Sequence, residues 1–119
     1  MKPLPISCPL AFVLSIALSI PPVGSITASD ARNHVGEQAT VCGEVANEKT
    51  SSIGHGEQTF INLDSPYPNQ VFRILVWSDD SATVGALPHM GDHTCAKGLI
   101  EGYRGVPEIV VRNSGQLSR

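Results

Sequence analysis

The residues best suited to chemistry in this chain are three cysteines, four histidines and a scatter of carboxylates. Their spacing excludes most of the chemistry they could do. No CxxC pair is present, which argues against a zinc site at Cys42 or Cys95. His89 and His93 are four residues apart, but Pro88 and Gly91 rule out the helix that would bring both to one face. His34 sits in a turn-like stretch, and His55 lies between two glycines. Neither belongs to a ligand pattern, so no metal and no cofactor are expected. The chain also lacks a Ser-His-Asp phrase, a Gly-rich phosphate loop and HExxH. Asp79 and Asp80 suit the start of a helix better than an acid/base pair. No catalytic residue is identified, and the expectation is a binding protein rather than an enzyme.

What remains is disulfide chemistry, and a repeat points to it. Residues 34–45, HVGEQATVCGEV, align without a gap on residues 89–100, HMGDHTCAKGLI. His34 meets His89, Gly36 meets Gly91, Glu37 meets Asp92, Gly43 meets Gly98 and Val45 meets Ile100. Each copy reads as a turn followed by a strand with a glycine inside it. Strand alternation puts Val41, Gly43 and Val45 on one side, matching Ala96, Gly98 and Ile100. Cys42 and Cys95 fall on the other side. If the two strands are antiparallel neighbours, both sulfurs share a sheet face. A Cys42–Cys95 bridge is therefore expected, with a loop-entropy contribution on the order of 3–4 kcal/mol. Free thiols are the alternative.

The bridge needs an oxidising compartment, and the N-terminus supplies a route to one. Met1-Lys2 leads into residues 10–20, LAFVLSIALSI, followed by Pro21, Pro22 and Gly24 and then Ile26-Thr27-Ala28. That is the layout of a signal peptide over residues 1–28, leaving a domain over 29–119. The apolar run is about half of the roughly 20 residues a spanning helix needs, which disfavours an uncleaved anchor. A secreted or periplasmic location follows, with no membrane attachment after cleavage. The chain has 119 residues, which is one domain at most. Of its eight Lys and Arg residues, Lys2 lies in the leader, leaving seven against eleven acids and a net charge of −4. A strong, non-specific nucleic-acid binder would carry clustered basic residues instead.

The elements that position these residues are mostly strands. Ser29 to Asn33 reads as a helical turn capped by Ser29. Strands are expected over about 39–46, 58–63, 71–77, the second copy of the phrase to about Glu101, and 108–112. Residues 47–57, polar and glycine-containing, read as a loop. Asp64 to Asn69 reads as a proline-set turn, and Ser78 to Leu87 as a short helix with Val84 and Leu87 on its apolar side. Tyr103-Arg104-Gly105 reads as a tight turn. An all-β chain this small can protect its edges by closing into a barrel.

Five strands with a short helix between the third and fourth is the order of an OB-fold barrel. VGEQATVCGEV and GDHTCAKGLIEGYRGVPEIVV resemble the first strand and the fourth-to-fifth hairpin of OB-fold nucleic-acid-binding domains. TFINLDSPYPNQVFRILVW resembles the second and third strands of small secreted bacterial proteins that carry this domain. The likeness covers about residues 31–112. It implies a ligand face on the second and third strands, where oligonucleotides or oligosaccharides bind.

Parity selects the residues on that face. Asn62 does not suit a small core, so Phe60 and Asn62 point out while Ile61 and Leu63 point in. Arg73 must also point out, and it takes Leu75 and Trp77 with it. Bases of a single strand would stack on Phe60 and Trp77, with Arg73 meeting a phosphate. Packing under a helix or loop is the alternative for both rings. Tyr103 and Arg104, in the last hairpin turn, would clamp a base and a phosphate, and Tyr67 lies in a loop within reach. Lys97 and Arg112 are outward by parity and would complete a modest basic patch. The leading expectation is weak binding of single-stranded DNA or RNA. A protein-interaction module, which the acidity favours, and a nuclease or nuclease accessory are the alternatives.

Overall fold

The computed structural model describes residues 24–54 and 56–119. Among them, eight strand segments form one sheet: β1 (Ser25–Thr27), β2 (Gln38–Ile53), β3 (Gly56–Leu63), β4 (Arg73–Trp77), β5 (His93–Leu99), β6 (Glu101–Tyr103), β7 (Val106–Val110) and β8 (Leu117–Ser118). The hydrogen-bonded path runs β6-β7-β4-β3-β2-β5-β8, with β1 added on β2. This is a small all-β domain. It has more segments than the five expected, and the path is open. The excess has two sources. β1 and β8 are short added pieces, and the strand expected through Glu101 is broken at Ile100 into β5, which pairs with β2, and β6, which pairs with β7. β4 and β7 run parallel.

The two copies of the repeated phrase are antiparallel neighbours. Val41 and Ala96, equivalent in the repeat, face each other, and Cys42 faces Cys95 one step away. The Cα atoms of that pair are 4.0 Å apart, and the two sulfurs are bonded. At the ends, each copy's turn clasps the other copy's strand. Gly36 N–H donates to the Ile100 carbonyl and Ile100 N–H to that of Glu37, at 2.7 and 2.9 Å. Gly91 N–H donates to Val45 and Val45 N–H to Asp92, at 2.9 and 2.8 Å. Both turns need a left-handed residue, supplied by Gly36 at φ 95° and Gly91 at φ 91°. Gly43 serves another purpose. A Cβ there would lie 2.9 Å from Asp64 Oδ1, the atom that accepts from Glu44 N–H at 2.8 Å.

The side chains expected inside are inside: Val41, Val45, Ile61, Leu63, Phe72, Ile74, Val76, Ala96 and Ile100 are all buried, with Ile109 and Val111 beside them. Each of the larger ones contributes about 1.5–3 kcal/mol by leaving water. Between β4 and β5 the chain makes a 3-10 turn, Ser78–Asp80, and one helical turn, α1 (Ser81–Val84). Val84 is buried and Leu87 packs on the core.

Three local expectations are corrected. Residues 47–53 and 56–57, expected in a loop, are strand. β2 continues to Ile53, and from Val45 onward it pairs with the whole of β3, with Thr50 and Thr59 hydroxyls 3.1 Å apart. This arm is mostly exposed or half-exposed, so no apolar alternation marks it. The N-terminal helical turn is a 3-10 helix, Ala28–Asn33, whose cap is Thr27 rather than Ser29; Thr27 Oγ1 accepts from Asp30 N–H at 3.3 Å. Ser78 to Leu87, expected as one short helix, is a 3-10 turn followed by a single helical turn, and no side chain caps either.

The expected leader lies mostly outside the described residues, but its last part does not. Ser25–Thr27 pairs in parallel with Thr40–Cys42, and Ala28 is fully buried. A cut after Ala28 would strip a strand and a core side chain from the domain.

His34 joins the 3-10 helix to the following turn, with Nδ1 3.0 Å from Glu37 Oε1 and Nε2 3.2 Å from Asp30 Oδ2. The hydrogen bond to Glu37, then that to Asp30, raises the imidazole above its usual value. Asn33 first, and His34 next, hold Asp30 below the usual carboxylate value. A raised base contributes fully below its unfolded pKa and loses that contribution as pH rises through the folded one. A depressed acid contributes above its unfolded pKa and loses that as pH falls through the folded one. Both contributions therefore coexist only at mildly acid pH. In an NMR titration the His34 ring should have a midpoint above about 6.5, falling towards that value in Glu37→Gln. An unchanged midpoint in the variant would contradict the assignment.

Candidate ligand-binding face

β2, β3, β4 and β7 turn one side to the core and the other outward, and cross-strand register orders the outward side into rows. Asn47, Asn62, Arg73 and Glu108 form one row across the four strands. Lys49, Phe60, Leu75 and Val110 form the next. Ser51, Gln58 and Trp77 form a third. Asn47, Lys49 and Ser51 reach this side through a bulge. Val45 pairs with Leu63 in the core, but Asn47 pairs with Asn62, so Ala46 is the extra residue that swaps the faces of β2.

Arg73 is the centre of the face and is 9% exposed. Its Nε donates to Glu108 Oε1 at 2.8 Å. Its guanidinium carbon lies 5.2 Å from the centre of the Phe60 ring and 5.1 Å from that of Tyr103. Such contacts are worth about 0.5–2 kcal/mol each. Arg104, in the turn between β6 and β7 at φ 52°, lies 5.4 Å from the same Tyr103 ring. Arg73 is thus outward but not free: Glu108 neutralises it and two aromatic rings flank it.

Phe60 divides two hollows. The polar one, of about 150 Å³, is lined by Asn47, Lys49, Phe60, Asn62, Tyr67, Gln70 and Arg73 among others. The apolar one, of about 340 Å³, is lined by Phe60, Leu75, Trp77, Tyr103 and Val110, together with Gln58 and Glu108. In the polar hollow Asn62 Nδ2 donates to Asn47 Oδ1 at 2.9 Å, while Asn62 Oδ1 is buried with no partner. A buried acceptor left unpaired costs about 1–3 kcal/mol.

Of the residues selected from the sequence, Phe60, Asn62, Arg73, Trp77 and Tyr103 come together on this face, with Arg104 on its rim. Lys97 does not. It lies on β5 opposite Thr40, beside Gly24 and Gln38. Arg112 lies past β7, where its backbone binds Gln116 and Thr83, and its side chain lines neither hollow. The continuous patch of four cations is therefore not formed. Sequence reasoning missed Asn47 and Lys49, whose side is set by the bulge. It also missed Glu108, although its strand parity with Arg112, four residues on, already marked it as outward. Among the described residues, no three His, Cys, Asp or Glu side chains come together to hold a metal ion.

No protein-family model matches the chain, and no curated protein matches it in sequence. Among solved structures it is similar to one described as an aspartyl-tRNA synthetase from Leishmania major Friedlin. The TM-score is 0.53 at 10% identity. The match covers 88% of this chain but 22% of the synthetase chain, so the likeness is one of fold with a part of that protein.

Proposed function

We propose that this chain is an exported OB-type barrel that binds single-stranded nucleic acid on the outer face of β3, β4 and β7, without catalysing a reaction. The barrel reading takes β5 and β6 as one strand bent at Ile100, which joins β6, at one end of the open path, to β5, next to the other end. The similar fold in a protein whose description includes tRNA supports a nucleic-acid ligand. The Cys42–Cys95 bridge is compatible with export, and we place the leader's cleavage before Ser25, so that β1 and Ala28 remain.

The observation that carries the reading is the ring–cation–ring arrangement of Phe60, Arg73 and Tyr103 between two hollows. Bases stack on such rings, and each stacked base is worth about 1–3 kcal/mol. Because Arg73 is neutralised, phosphate contacts fall to Lys49 and Arg104. Binding should then be weak, and only mildly salt-sensitive, with a slope of log K on log salt near −1.4 for two contacts at about −0.7 each. Fluorescence anisotropy with labelled single-stranded oligonucleotides tests this. Micromolar affinity at low salt is expected, reduced at least about fivefold in Phe60→Ala. Absence of binding at low salt would reject the reading.

A protein partner is the second reading. It is favoured by the apolar hollow of Leu75, Trp77 and Val110 and by the acidic net charge.

A further inference from the structure

We propose that the polar hollow is a subsite for a single nucleobase, seated beside Phe60 with an N–H of its edge donated to Asn62 Oδ1. The inference rests on the nucleic-acid reading and adds to it the group bound and the residue that selects it.

Asn62 carries the argument. It is 3% exposed, it lines the hollow, and its Oδ1 has no hydrogen-bond partner although its Nδ2 is paired with Asn47. Folded proteins rarely leave a buried acceptor in this state. Turning over both amides brings no relief, because it leaves an unpaired donor at the same place. The neighbour on β4 does not help, since Arg73 is committed to Glu108 and, more weakly, to the Tyr103 carbonyl at 3.5 Å. A ligand donor is the group this oxygen lacks.

The rest of the hollow limits what carries that donor. A cavity near 150 Å³ accepts about one benzene-sized ring. Phe60 offers an apolar flank, and Lys49 is an exposed cation on the rim. A flat ring with a donor edge and an adjacent anion is a nucleotide within a strand. Oδ1 is buried, so entry requires a lining side chain to move. Tyr67, 71% exposed, and Lys49 are the ones with least packing to lose.

Oligothymidylate and the same oligomer made with N3-methylthymine test the contact, because methylation removes the ring N–H and leaves the backbone unchanged. The protein should bind the methylated oligomer about tenfold more weakly. Asn62→Leu should bind oligothymidylate at that weaker level and no longer distinguish the two oligomers. If the protein binds both equally, the subsite is wrong while the nucleic-acid reading stands. If it binds neither, that reading falls and the subsite with it. The methylation contrast on the unaltered protein decides the matter even if Asn62→Leu fails to fold.

Discussion

Glu108→Ala is expected to destabilise the fold by about 3 kcal/mol, the low end of the range for breaking a buried ion pair. The two side chains of the Arg73–Glu108 pair are 10% and 9% exposed, so removing the carboxylate leaves a guanidinium with little water to solvate it. The contacts of Arg73 with Phe60 and Tyr103 keep the loss from being larger. Replacing both partners with apolar residues, Arg73→Met with Glu108→Leu, should recover most of the loss, since the penalty comes from the stranded charge rather than from the absent bond. Urea denaturation of the single and double variants measures this. A single variant as stable as the parent would show that Arg73 reaches solvent in solution, and the account of a neutralised face would fail.

Removing the disulfide should cost still more. The bridge joins residues 53 apart, and the loop-entropy model assigns about 4 kcal/mol to a loop of that length. A domain of this size has total stability of about 5–15 kcal/mol, so a large part of it rests on one bond. The double variant Cys42→Ala, Cys95→Ala should melt roughly 15–30 °C lower than the oxidised protein. Reductant should bring the parent to the same point. The clasp between the two repeats limits the damage to stability rather than topology, because four backbone hydrogen bonds hold the same strands together. Equal melting temperatures with and without reductant would show that the strand pairing suffices by itself.

The parts of the fold that the sequence made legible were those written in alternation. Val41 and Val45, Ile61 and Leu63, and Phe72, Ile74 and Val76 each follow period two, and all are buried. The repeat added the partnership of β2 and β5, and with it the bridge. The arm from Asn47 to Glu57 was not legible, because a hairpin without a buried face has no apolar period to read. The bulge at Ala46 then moved Asn47 and Lys49 to the face opposite the one that strict alternation assigns. On the candidate face, parity correctly separated in from out at Arg73 but did not reveal its partner. Glu108 lies 35 residues away on a parallel neighbour, and that pairing is a property of the topology. Lys97 shows the same limit from the other side. Outward on a curved sheet has many directions, and β5 points Lys97 away from Phe60.

The central claim is that a single strand binds on the outer face of β3, β4 and β7. Titration of the isotope-labelled, oxidised protein with a short oligothymidylate, followed through its backbone and side-chain amide NMR signals, tests it most directly. Shifts should concentrate at Lys49, Phe60, Asn62, Arg73, Trp77 and Tyr103, and leave Lys97 and Arg112 in place. Shifts centred on Lys97, or no shifts at millimolar oligonucleotide and low salt, would contradict it.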